Sequence, residues 1–220
     1  MLPTAWADLA SDLHLPPADA AAALATIQTR YAEPWRSYHD LTHIEELLAL
    51  SAQHRDRIQD VTFVNLSIIF HDIIYYVDSR SPDNENLSAD LFVETLGSKM
   101  NDKDLLGRVD AAIRATKSHA VADTAHPDLK LFMDFDMAIL AAPRSKYALY
   151  AKNIRKEYES VEKNAYCAGR SGFFRNYLQS TEHIYASELF RESCEAAARS
   201  NIAWECGVLE SGRLVQEVDI

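Results

Sequence analysis

Residues 60–76 read DVTFVNLSIIFHDIIYY, and this stretch decides the fold. It is apolar on nearly every side at helical spacing, the pattern of a helix with no solvent face. Its β-branched residues would also permit a strand, but its length and Asp60 as an N-cap favour a helix over 60–76. Such a helix belongs at the centre of a domain. Near its C-terminal end stand His71 and Asp72. A buried carboxylate beside a buried imidazole costs several kcal/mol unless each is paired or holds a metal.

Outward from this stretch, helical periodicity continues in both directions. Residues 4–14 and 17–31 read as two short helices divided by Pro16 and Pro17. Ser37, with Asp40 as capping-box partner, predicts the start of a third, its apolar stripe being Leu41, Ile44, Leu47, Leu48 and Leu50. Ser81 and Pro82 predict a helix from 82 to about Gly97. Further helices are expected over 102–118, 127–141, 143–164 and about 180–206. The expected fold class is all-α, a single-domain helical bundle. Its helices over 1–30 pack on a core domain of 31–206, and 207–220 form a weakly periodic, flexible tail.

Composition agrees. Six glycines and seven prolines in 220 residues leave little turn material for a many-stranded sheet. A net charge of -11 without any basic run argues against bulk nucleic acid and against an anionic membrane as partners. Cys167, Cys194 and Cys206 lie far apart without metal spacing, as in reduced cytosolic proteins, and Cys194 and Cys206 read as small apolar packing groups. No segment reaches a membrane span, and the N-terminus lacks a signal-peptide pattern, so the expected location is cytoplasmic. An acidic helical surface with tyrosines is compatible with a homodimer.

Two further polar clusters interrupt apolar patterns. In Tyr38-His39-Asp40-Leu41-Thr42-His43 the histidines are four apart, so one helix would present both on one face. Both could meet one metal, or one could face a substrate, or both could be surface residues. His71-Asp72 could equally be a structural hydrogen-bonded pair. In Leu131–Leu140 (LFMDFDMAIL), Asp134 and Asp136 cannot share a face; Asp136 is the preferred ligand. His43, His71, Asp72 and Asp136 together offer two nitrogens and two oxygens. That set suits a divalent ion such as Mn, Fe, Co, Ni or Zn, with Mg if water completes the shell.

A histidine, then a His-Asp pair 28 residues on, then a distant aspartate resembles the HD superfamily of metal-dependent phosphohydrolases. YHDLTHIEEL is similar to a motif of cyclic-nucleotide phosphodiesterases, and Asp136-Met137-Ala138 occupies the place of their metal-binding aspartate. The nearer resemblance is to bacterial HD phosphohydrolases of unsettled substrate. It runs from about Tyr31 to Glu205 through WRSYHDLTHI, FHDIIYY, DNENLSA, ATKSH, DFDMAIL, IRKEY and AARSNIAWE. It implies an HD-type helical domain, with His43, His71, Asp72 and Asp136 as metal ligands and His39 as the acid that protonates the leaving oxygen. Asp72 would also orient the nucleophile. Asp72 is followed by Ile73-Ile74-Tyr75, which supplies no second-metal ligands, so a mononuclear site is expected rather than a cyclic-nucleotide enzyme.

The resemblance also points to Glu85 as a catalytic helper, the alternative being a first-turn acid favoured by the helix dipole. His119 would line the pocket or would simply end a helix, and His126 reads as a loop residue. Lys117, Arg155 and Arg170 are candidate phosphate contacts, with a surface ion pair as the alternative for Arg155 and a loop position for Arg170. Tyr147, Tyr150, Tyr158 and Tyr166 read as packing residues. The expected activity is hydrolysis of a phosphate ester of a small phosphorylated metabolite or nucleotide. Two rival expectations are a di-iron oxygenase, which needs His119 and His126 to converge on the site, and a non-catalytic nucleotide sensor.

Overall fold

The computed structural model describes residues 1–77 and 83–218, and among them helices alone occur as regular structure. The all-helical expectation holds. The chain divides into two compact units, Met1–Phe135 and Asp136–Ile220, a boundary inside the stretch read as one domain.

The first unit holds α1 (Leu2–Asp12), α2 (Pro17–Tyr31), α3 (Leu41–Gln53), α4 (Val61–Phe70), α5 (Asn84–Leu96), α6 (Lys103–Ala115) and most of α7 (Pro127–Met137). As its apolar circumference requires, α4 is the hub, packed against α1, α3, α5 and α6. Seven of its residues, Phe63, Val64, Leu66, Ser67, Ile68, Ile69 and Phe70, are buried. Asp60 caps it by accepting from the Phe63 amide at 2.9 Å. The Phe70 ring meets Trp6 of α1 and Phe92 of α5 at centroid distances of 6.3 and 5.1 Å.

Several boundaries differ from the sequence reading, two of them at the polar clusters. Helix α3 begins at Leu41 rather than Ser37, because Asp40 is itself the N-cap and accepts from the Thr42 amide at 2.7 Å. His39 therefore precedes the helix, so His39 and His43 do not share a helical face. Helix α4 ends at Phe70, not at 76. Its last four carbonyls, which have no partners within the helix, are all met. Ser67 accepts from the His71 amide, Ile68 from the His71 ring, Ile69 from the Tyr31 hydroxyl and Phe70 from the Ile73 amide. The expected Ser81–Pro82 helix start lies outside the described residues.

Helix α7 is tied to the entrance of α4 by one residue. Asp128 is fully buried, and its carboxylate accepts from the backbone amides of Gln59 at 2.9 Å and Asp60 at 2.7 Å. His126 is a half-exposed neighbour of that carboxylate, 3.9 Å away.

The second unit holds the 3-10 turn Ala138–Ala141, α8 (Arg144–Glu157), α9 (Lys163–Ser180) and α10 (Glu188–Glu210). Helix α9 was not expected from the sequence. Gly169 and Gly172 dilute its pattern, and its N-cap is Glu162, outside the usual short-side-chain set, accepting from Asn164 and Ala165. Leu214 and Val215, in the stretch read as a flexible tail, are buried. Buried Asn201 on α10 donates to the carbonyls of Leu140 and Ala142 at 2.7 and 2.8 Å, fixing the 3-10 turn. Cys167 and Cys206 are buried as packing groups, and desolvation pushes both thiols up. Cys194 is only partly buried. No described helix is long and apolar enough to cross a membrane.

A buried polar network centres this unit. Arg170 of α9 donates from Nε to Glu205 Oε1 at 2.6 Å, and the Tyr147 hydroxyl donates to Glu205 Oε2 at 2.5 Å. Burial, followed by the Glu205 charge, pushes the Tyr147 hydroxyl far above its ordinary value, so it remains a donor. Glu205→Ala leaves a buried guanidinium uncompensated and should lower unfolding stability by about 3–5 kcal/mol in urea titration. Asp128→Ala orphans two amides and should cost about 3 kcal/mol in the same measurement.

Candidate metal centre

The end of α4 sets the geometry. A carbonyl can only accept, so the 2.9 Å contact from His71 Nδ1 to the Ile68 carbonyl places the proton on Nδ1. The Nε2 lone pair of neutral His71 is then directed away from the helix end, the usual arrangement of a metal-binding imidazole. From α3, His43 brings its own Nε2 to 3.4 Å from that of His71. The next residue in the turn, Asp72, places Oδ2 at 3.1 Å from His71 Nε2 and 3.8 Å from His43 Nε2. The two imidazoles are almost fully buried, their side chains 1% exposed, and Asp72 is 16% exposed.

Asp136 completes the group. It is the penultimate residue of α7, and the nine residues ahead of it on that helix belong to the first unit. One ligand atom from each of His43, His71, Asp72 and Asp136 lies within 4.8 Å of the others. Of the two aspartates considered from sequence, Asp136 is the one in this group; Asp134 is buried within α7 and outside it.

The donor set fits a divalent cation. With ligands about 2.1 Å from an ion, neighbours are separated by about 3.0 Å at right angles, about 3.4 Å in a tetrahedron and at most about 4.2 Å when opposite. The separations of 3.1, 3.4 and 3.8 Å fall in that range. The 4.8 Å limit of the whole set asks for a contraction of about half an ångström. With the Nδ1 proton given to Ile68, a His71–Asp72 hydrogen bond at 3.1 Å requires a second proton on the imidazole, whereas a cation requires none.

His39 stands beside this group, its Nε2 4.0 Å from Asp72 Oδ2 and its side chain 17% exposed. Its ring stacks on Tyr75 at a centroid distance of 4.0 Å and meets Tyr38 edge-on at 4.9 Å. The His39–His43 proximity expected from a shared helix is thus achieved by a loop, with ring centroids 5.9 Å apart.

Residues that the sequence reading passed over hold the chain after the His-Asp pair. The main chain of 72–76 is gripped by side chains from two directions. Arg36 donates to the carbonyls of Asp72 and Ile73, and Trp35 to that of Tyr75. The Ser88 hydroxyl bonds both the amide and the carbonyl of Ile74, and the Asn84 amide group does the same for Tyr76. The usable signal was the Trp35-Arg36 pair just ahead of a histidine motif, in a stretch without helical periodicity.

The remaining candidates are distributed differently. Glu85 stands in the first turn of α5, half-buried, and is outside the ligand group. Lys117 is exposed and paired with Asp83 at 2.7 Å; the pairing raises Lys117, while hydrogen bonds from Asn86 and then Lys117 hold Asp83 low. His119 follows α6 in a left-handed conformation (φ 50°), partly buried. Neither His119 nor His126 belongs to the ligand group. In the second unit Arg155 donates to the Tyr158 carbonyl and lies over the Tyr166 ring, rather than pairing with Glu159. Arg170 is on a helix, not in a loop, and is engaged by Glu205.

Comparison of the chain with protein-family models, with curated proteins and with solved structures found no match.

Removing a ligand should empty the centre. Wild type loaded with Mn or Co is expected to keep about one ion per chain through desalting, while His71→Ala and Asp72→Ala lose it. His126→Ala, outside the group, should behave as wild type in the same elemental analysis.

Proposed function

We propose that the protein is a metal-dependent phosphohydrolase of the HD type, acting on the phosphate ester of a small phosphorylated metabolite or nucleotide. The observation that carries this reading is the convergence of His43, His71, Asp72 and Asp136 within 4.8 Å, with the partly exposed His39 alongside. The motif order that resembles HD phosphohydrolases supports it. A divalent cation at this centre supplies what the side chains lack: it acidifies water and polarises a phosphoryl oxygen.

The chain's own residues have separable tasks. His43 and His71 present ring nitrogens in a nearly dry setting, and Asp72 and Asp136 supply the negative charge that a cation requires. Asp72 also faces His39, its Oδ2 lying 4.0 Å from the imidazole Nε2. From there His39 can give its proton to an ester oxygen leaving beside the cation, a contribution typically worth about 10²–10⁴-fold. Stacking on Tyr75 holds the ring in place for that transfer. Glu85 stands as a candidate catalytic helper, and Lys117 and His119 as candidates for substrate contact, whereas Arg155 and Arg170 are engaged within the second unit. In an acidic chain, a bound cation would supply positive charge beside the phosphoryl group.

The test is a panel of phosphorylated metabolites and nucleotides assayed with Mn, Co, Ni, Zn and Mg. His39→Ala should keep the metal and lose about 10²–10⁴-fold in kcat, whereas Asp72→Ala should lose both metal and turnover. Full activity of Asp72→Ala on the best substrate would sink this mechanism. Two irons per chain with visible absorption would point to an oxygenase. Tight nucleotide binding without turnover would point to a sensor.

A further inference from the structure

Arg36 is an arginine whose side chain has no solvent exposure and whose partners are mostly not acids. Its Nη1 donates to the carbonyl of His39 at 2.7 Å and to the carbonyl of Asp72 at 2.8 Å. Its Nη2 donates to the carbonyl of Ile73 at 2.9 Å, and its Nε to Glu33 Oε2 at 3.1 Å. Tyr31 and Tyr75 lie within cation–π distance, at 5.0 and 5.8 Å. A single nitrogen thus joins the backbone of the loop that carries His39 to the backbone of the turn that carries Asp72. The side chains of those same two residues approach at Nε2 and Oδ2.

Withdrawing a guanidinium from water is expensive, and merely closing a chain turn does not require it. What a guanidinium provides is a rigid planar fork whose donors fix the separation of several acceptors at once. We propose that Arg36 is a positioning residue for the metal centre. It sets the spacing between the His39 loop and the His71–Asp72 turn, and through that spacing the affinity of the centre for its cation. This rests on the metal reading above and extends it to a residue that touches no ligand atom. Glu33 completes the device. It is 13% exposed and is itself held by Arg30 at 3.2 Å, which orients the carboxylate that aims the fork.

A role confined to stability would lower the melting temperature and leave cation binding in the folded protein intact, so the two quantities separate the explanations. The experiment is a Co(II) titration followed by absorption on the full chain, for wild type, Arg36→Lys, Arg36→Met and Glu33→Gln. Far-UV circular dichroism and thermal melting accompany it. Arg36→Lys keeps the charge but not the fork. We expect both Arg36 variants to bind Co(II) about 10–100-fold more weakly than wild type, with an altered ligand-field band and unchanged helix content. Glu33→Gln should show a smaller loss in the same direction. A folded Arg36→Lys or Arg36→Met with wild-type affinity and spectrum overturns this proposal alone. Should neither Arg36 variant fold, wild-type affinity and spectrum in Glu33→Gln overturn it. No Co(II) bound by wild type would bring down the proposal together with the metal reading.

Discussion

One contact fixes the rest of the candidate site: the Nδ1 proton of His71 given to the carbonyl of Ile68. This bond satisfies a helix end that is otherwise short of donors, stops α4 at Phe70 and chooses the tautomer that turns Nε2 outward. Helix termination and ligand chemistry are therefore the same event. Because α4 is buried among α1, α3, α5 and α6, the imidazole is delivered from the end of a helix packed on all sides. His43 from α3 and Asp136 at the end of α7 meet it there.

Much of this was legible in the sequence, and for an identifiable reason. A His-Asp pair in an apolar run is costly in a core, so it stands out against the pattern around it, and the same holds for Asp136 after Phe135. Residues that violate periodicity are easy to read. Residues that act outside periodicity are not. His39 and His43 looked like a helical pair because they are four apart, yet Asp40 between them is the cap that divides loop from helix. The sequence placed the two side chains in one neighbourhood, but for the wrong geometric reason.

Helix α9 was missed because its glycines and its long-chain cap erase the usual signals. That error moved Arg170 from a partly buried helix position to an imagined loop. A guanidinium bonded to a buried glutamate is occupied structurally, and nothing within α9 alone announces Glu205 thirty-five residues later. Long-range pairing of charges is the class of information that local pattern carries least. Asp128 illustrates it too: it looks like an ordinary first-turn acid, and its actual partners are amides at 59 and 60.

The segment that follows the His-Asp pair has a consequence for how the protein can vary. Arg36, Trp35, Ser88 and Asn84 hold it through main-chain atoms of residues 72–76, which every amino acid possesses except for the amide that proline lacks. The instruction for its path is thus written elsewhere in the chain. Side chains at 73, 74 and 76 are left to answer to packing alone, and can drift during divergence without redrawing the loop. Substitution at the four distant anchors would redraw it even where the His-Asp pair is untouched.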